Sequence, residues 1–392
     1  MQKIISLVVG ISLFGFTVVP VQAAFSNLYV FGDSISTTTN NTSGLSFYYG
    51  QRYSNGRVWV EVLAQRQGLT YDPNKNWSYF YNSSTTMLAN VSSFKAPLDA
   101  SNALFVIWVN CADLWFPAMY SGTSMSQWTS AINQSQTNHY KAATNLYAKG
   151  ARTLIMPNAV DVSTIPEFDQ SANVSFIHTE CLAYNVAFSN TLNRIRASCP
   201  NLTLYTPDFF TLLTNLLAHP ANYGLTNALC DGASIDAVDA VSCDSYTYPS
   251  AATNGYGTNY IFWDPQDPTA MVHTWMANTV QQLISPVQIS QLMVFNGSNQ
   301  LVMANVPIGQ NGLVLGCTNL SSGNWTTNAS FCSTNTTQSI FVLTAGASQN
   351  AQYFSPNDGP TPPGGGGGWG TNTPVVTLQL YRLRFPYSWT WP

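Results

Sequence analysis

Charge is what this sequence has least of. Asp, Glu, Lys and Arg together make up 8% of its 392 residues, against about 25% in an average soluble domain. The formal net charge is −4. A chain so weakly charged offers no electrostatic footprint for nucleic acid or an anionic surface. It suits an extracellular protein that meets neutral substrates. Histidine is scarce as well, at positions 139, 178, 219 and 273 alone. No His, Cys and Asp residues cluster at ligand spacing, so neither a metal nor a cofactor is implied. Past the N-terminal segment no stretch approaches the ~20 apolar residues that a membrane helix needs.

Residues 1–23 have the layout of a signal peptide: Lys3, an apolar run from Ile4 to Val19, and the small-residue site Val21-Gln-Ala23. Cleavage is expected after Ala23, followed by secretion, and with no cysteine there a lipoprotein is not expected. Seven cysteines in an exported chain favour disulfides. The expected pairs are Cys230–Cys243, Cys317–Cys332 and Cys181–Cys199, with Cys111 buried and free. Asn173 and Asn324 open glycosylation sequons, which matter only in a host that uses them.

Apolar strands and amphipathic helices alternate up to residue 285. Asn27–Phe31, Ala103–Val109, Arg152–Pro157 and Leu202–Tyr205 read as strands. Val58–Gln67, Ser126–Lys149, Cys181–Ser198 and Thr269–Leu283 read as helices. The alternation predicts an α/β doubly wound parallel sheet over residues 24–285. From Pro286 to Pro392 only short alternating runs remain, at 291–295, 312–315, 340–343 and 375–384, which predicts a small all-β, sandwich-like module. Pro360–Gly370 is a glycine-rich loop. The tail Phe385–Pro392 is either a sugar-stacking patch or a segment packed on its own module.

The first strand ends in Gly32-Asp-Ser34. A serine after a strand lies at the carboxyl edge of the sheet, where α/β proteins bind ligands. A hydroxyl nucleophile needs a base, a group that orients the base, and donors for the oxyanion. Taken alone, Gly-Asp-Ser also suits a plain turn and helix cap.

Three segments resemble the GDSL-type (SGNH) serine hydrolases, a family of esterases and lipases with a flavodoxin-like fold. Phe31-Gly-Asp-Ser34 resembles the nucleophile block. Ser54-Asn-Gly-Arg57 is similar to the segment that often follows it. Phe262-Trp-Asp-Pro-Gln-Asp-Pro-Thr269 resembles the block usually written Trp-Asp-x-x-His-Pro-Thr. The resemblance implies Ser34 as nucleophile, with its own N–H as one oxyanion donor. The second donor would be the N–H of Tyr81 or Asn82, where the family has a glycine. The third is normally an asparagine side chain. Aligning Trp108-Val-Asn-Cys-Ala-Asp113 on Asp113 leaves Ala112 in that position, so Asn110 is the substitute if the strand extends to it, and otherwise a turn-forming asparagine.

The family histidine is replaced by Asp267. Asp267-Pro-Thr is also a good helix start, with Asp267 as N-cap. His273 is the expected base, oriented by Asp264 or Asp267. Residues six apart on a helix lie about 9 Å and about 240° apart, so His273 needs a shifted helix to reach Ser34. His139, on a polar helix face, His178 and His219 lie outside the family blocks. The function implied is hydrolysis of carboxylic esters, from a lipid or an acetylated glycan. The alternative is a degenerate hydrolase fold that binds a glycan or surface. The module after residue 285 is similar to short C-terminal β modules of exported bacterial proteins, through Asn324-Trp325 and Tyr381-Arg-Leu-Arg384. Residues 37–56 or 114–128 are candidate lids.

Overall fold

The computed structural model describes residues 25–39, 48–225, 260–295, 298–306, 311–317, 324–334, 337–343, 380–385 and 389–390. The expected signal peptide, the Cys230–Cys243 pair, the glycine-rich loop and most of the aromatic tail lie outside them.

Four short strands make one parallel sheet in the order β1 (Leu28–Gly32), β2 (Leu104–Trp108), β3 (Thr153–Ile155) and β4 (Thr203–Tyr205). Every residue of β1 and β2 is buried. That is why both strands read as continuous apolar runs rather than alternating ones. On the outer side of β1, Val30 and Asn76 form a lone parallel bridge, and Trp77 N–H donates to Val30 O at 2.8 Å. Counting that segment as a vestigial strand gives the order 2-1-3-4-5 of flavodoxin-like sheets, whose ligand crevice opens where the winding reverses, beside β1.

Among the described residues seven helices accompany the sheet: α1 (Trp59–Arg66), α2 (Ser84–Ser93), α3 (Asn110–Tyr120), α4 (Met125–Ala148), α5 (Val174–Ser198), α6 (Phe209–Ala218) and α7 (Ala270–Ile284). α1 packs on α7, while α4 packs on α2, α3 and α5. The core between them is rich in aromatic rings. Trp59, Trp108 and Phe209 meet edge to face at centroid distances of 4.9–5.9 Å.

After α7 the chain is antiparallel. β5 (Gln288–Phe295), β6 (Ser298–Ala304) and β9 (Thr337–Leu343) form one sheet. β7 (Asn311–Cys317), β8 (Thr326–Cys332), β10 (Leu380–Phe385) and β11 (Trp389–Thr390) form another. Asn299 Nδ2 donates to the Tyr381 hydroxyl at 2.7 Å, tying the two sheets together.

Two expected disulfides do not form: Cys181 is not joined to Cys199, nor Cys317 to Cys332. Cys181 lies within α5 and Cys199 caps its C-terminus; eighteen residues of helix hold them about 27 Å apart. Cys317 and Cys332 lie on paired strands, but Cys332 faces Asn311 at the opposite end of the β7–β8 ladder. Cys111 is buried and free, as expected. His139 is also corrected: it is fully buried rather than on a polar face, with Nδ1 at 2.8 Å from Ser135 O.

Candidate active site

Gly32 ends β1 because nothing larger fits. A Cβ there would lie 2.7 Å from both the Ser36 Cβ and the Ser78 Oγ. The chain then turns into a 3-10 segment, Ser34–Ser36, capped by Asp33, whose Oδ1 accepts the Ile35 N–H at 3.2 Å. This leaves the Ser34 N–H with no backbone acceptor among the described residues and brings its side chain to the sheet edge. Ser34 lines a cleft with Asp33, Ile35, Tyr81, Ala112, Trp115 and others.

The Ser34 hydroxyl donates to Asp267 Oδ1 at 2.8 Å. The aspartate in the family's histidine position thus meets the serine directly. Asp267 is buried, and its second oxygen has no hydrogen-bond partner. Burial, then the nearby Asp264 carboxylate, push its pKa well above the usual carboxylate range, against the pull of the Ser34 hydrogen bond. Asp33, also buried, is raised to about 7, chiefly by burial. Glu167, hydrogen-bonded to Trp115 at the cleft wall, is raised for the same reason.

Asp267 is not an N-cap. α7 begins at Ala270 with Thr269 as cap residue, and the Asp267 carboxyl is free to face Ser34. A remote side chain caps the helix instead: Asn55 Oδ1 accepts the Ala270 N–H at 2.8 Å. Ser54 Oγ donates to Pro268 O at 3.0 Å, and a Cβ on Gly56 would lie 2.7 Å from that of Ala270. The Ser54-Asn-Gly56 segment is therefore a clamp on the turn that carries Asp267. Asp264 completes it: its Oδ1 accepts the N–H groups of Gln266 at 2.8 Å and Asp267 at 2.7 Å, and its Oδ2 accepts the Tyr48 hydroxyl at 2.5 Å.

The structure does not bring His273 to Ser34. His273 is fully buried inside α7, neither ring nitrogen has a hydrogen-bond partner, and burial lowers its pKa to about 3. The helix is not shifted, so the angular separation foreseen from the spacing persists. Asn110 is also directed elsewhere. It opens α3, buried, with Nδ2 donating to Pro157 O at 3.1 Å, whereas Ala112 faces the cleft. Asp113 binds the Ser84 N–H and the Ser135 hydroxyl, fastening α3 to α2 and α4.

Tyr81 stands in the left-handed region that favours glycine: its φ is +62°. Its N–H takes no backbone acceptor among the described residues. Asn82 is committed, with its N–H on Tyr79 O at 3.1 Å and its amide on Gly32 O at 2.7 Å. One pair escaped the sequence reading: His178 Nδ1 lies 2.5 Å from Asp161 Oδ2, and Asp161 sits between the cleft residues Val160 and Val162. The seventeen-residue separation leaves no local sequence signal for it.

The sequence profile of the GDSL-like lipase/acylhydrolase family matches residues 28–280. The chain belongs to this family. The match supports ester hydrolysis and takes in both Ser34 and Asp267. Among curated proteins, the chain is similar to the GDSL esterase/lipase At5g03820 of Arabidopsis thaliana, 23% identical over 68% of this chain and 73% of that protein. It is also similar to the phosphatidylcholine-sterol acyltransferase of Aeromonas hydrophila, 24% identical over 70% of this chain and 96% of that protein. Among solved structures, the acetylxylan esterase Axe2 of Geobacillus stearothermophilus aligns with a TM-score of 0.38 at 13% identity, over 67% of this chain and 97% of that one.

Proposed function

We propose that the chain is an exported carboxylic ester hydrolase in which a Ser34–Asp267 pair replaces the serine–histidine pair of its family. The observation that carries this reading is the 2.8 Å contact between the Ser34 hydroxyl and Asp267 Oδ1. A general base must lie within hydrogen-bond reach of the proton it takes, with a pKa near the working pH. Asp267 meets the first condition, and burial beside Asp264 raises it toward the second.

In this mechanism Ser34 Oγ bonds to the acyl carbon while its proton passes to the Asp267 carboxylate. The N–H groups of Ser34 and Tyr81 hold the oxyanion. The tetrahedral intermediate collapses, the carbon–oxygen bond to the alcohol breaks, and the alcohol takes the proton from Asp267. Water then attacks the acyl-serine, again giving its proton to Asp267, and the acid leaves as Ser34 recovers its hydrogen. Export rests on the signal-peptide pattern of residues 1–23.

A binding scaffold is the second reading. It is favoured by Ala112, which gives the cleft no side-chain donor where the family has asparagine. Hydrolysis of short-chain p-nitrophenyl esters by wild type and Ser34→Ala, purified in parallel, separates the two. Turnover lost in the folded variant supports the enzyme. An inert wild type across acyl lengths supports the scaffold.

A further inference from the structure

The two backbone donors assigned to the oxyanion stand on separate segments. The Ser34 N–H opens the turn after β1, and the Tyr81 N–H lies just before α2. Donors serve an oxyanion only when each comes within about 3 Å of it. The two segments must therefore keep their relative position to a fraction of an ångström. Tyr81 makes this harder. It sits at φ +62° in a turn closed by the Asn82 N–H on Tyr79 O at 3.1 Å. A residue so strained stays in place only when its surroundings over-determine it.

The bond that ties the segments closest to both donors comes from Asn82. Its Nδ2 donates to Gly32 O at 2.7 Å. Asn82 follows Tyr81 directly, and Gly32 stands two residues before Ser34. The amide is fully buried and held from both ends. Nδ2 also donates to Trp77 O at 3.2 Å, and Oδ1 accepts the Thr86 hydroxyl at 2.6 Å. Two carbonyls on one side and a hydroxyl on the other decide which end of the amide is nitrogen.

We infer that Asn82 is a positioning residue for ester hydrolysis: its side chain locks the Tyr81 N–H in register with the Ser34 N–H, so that both meet one oxyanion. The inference rests on Ser34 as the nucleophile. Asn82 reaches no substrate itself, since its backbone N–H and its amide are engaged within the protein. Its effect is felt when the carbonyl oxygen takes up charge, so it raises turnover rather than ground-state binding. A donor misplaced by about 1 Å costs about 10²-fold, and one donor lost outright costs about 10²–10³ in kcat.

The test uses the full-length protein, a p-nitrophenyl ester, and the variants Asn82→Ala and Thr86→Val. An alkylboronic acid, which forms a tetrahedral anion on a serine hydroxyl, reports on the oxyanion donors apart from turnover. In folded Asn82→Ala, kcat should fall and the boronate Ki should rise, each at least about tenfold, with KM within about threefold of wild type. Thr86 is exposed, so Thr86→Val removes the hydroxyl that orients the amide without opening the core. Its kcat and boronate Ki should shift in the same directions by about threefold. A folded Asn82→Ala protein with kcat within about twofold of wild type overturns the inference. So does a fall in kcat with an unchanged boronate Ki, which a merely structural role would give. Where Asn82→Ala does not fold, unchanged kcat and Ki in Thr86→Val overturn it. Failure of the nucleophile reading looks different: the wild type is inert, or Ser34→Ala is as active as wild type, and the inference falls with it.

Discussion

The carboxylate of Asp264 holds the backbone N–H of Asp267 at 2.7 Å, and it also contributes to the raised pKa of the Asp267 side chain. One residue thus both places the proposed base and tunes it. Asp264→Asn keeps an acceptor oxygen while removing the charge. Without that like charge Asp267 ionises more readily. The acid limb of kcat/KM, set by the ionised base, should therefore move to lower pH. A pH–rate profile of wild type and variant checks the shift.

Stability should run the other way. Asp33 has a folded pKa of about 7 against 3.8 for the ordinary carboxyl. A carboxyl raised by folding stabilises fully below its unfolded pKa, and that contribution is lost as pH climbs toward the folded one. The thermal midpoint should fall between about pH 4 and about pH 7, and Asp33→Asn should flatten that slope. Thermal scans across this range measure both.

Asn55 caps α7 from outside the helix and steadies the turn that holds Asp267. Loss of such a cap costs about 1 kcal/mol. Asn55→Ala should lower stability by about that amount and reduce kcat at least about fivefold, with KM little changed. Steady-state kinetics and denaturant titration report the two effects separately.

Tyr81 sits at φ +62°, where a side chain costs about 1–2 kcal/mol relative to glycine. Its ring lies 3.8 Å from Phe80 and 5.0 Å from Trp115 by centroids, so both small substitutions lose the same contacts. The comparison between them isolates the backbone. Tyr81→Gly should be more stable than Tyr81→Ala by about 1 kcal/mol, reversing the usual order, as denaturant midpoints would show.

The parallel sheet was legible because β1 and β2, buried on both faces, are written as unbroken apolar runs. Helices α1 and α4 were legible by period, and Gly150, at φ +101°, follows α4. Three helices were not foreseen. α2 (Ser84–Ser93) is built largely of serine and threonine, which compete with helix formation, and its core contacts, Met87 and Val91, are too few to show a period. α3 runs through Pro117, which reads as a break and made 114–128 look like a loop. α6 is so apolar that its period is masked.

At the site, Ser34, Asp264, Asp267 and Tyr81 were named from sequence. The structure joins Ser34 directly to Asp267 and ties Asp264 to the turn beneath it. Asn110 was misplaced because α3 starts at that residue, turning its side chain toward Pro157 instead of the cleft. His273 was chosen by analogy with histidine chemistry, although its place on α7 points it into the core. The role of Ser54-Asn-Gly56 as a clamp on Pro268 and Ala270 is a contact across more than two hundred residues, which no local pattern encodes.

The central claim is that an aspartate serves where the family uses histidine. The direct test compares kcat/KM on a p-nitrophenyl ester for wild type, Asp267→Asn and His273→Leu, each shown to be folded. General-base removal costs about 10²–10⁴-fold. Asp267→Asn should fall by at least a factor of about 10², while His273→Leu should stay within about threefold of wild type. Full activity in Asp267→Asn, or its loss in a stable His273→Leu protein, would contradict the account.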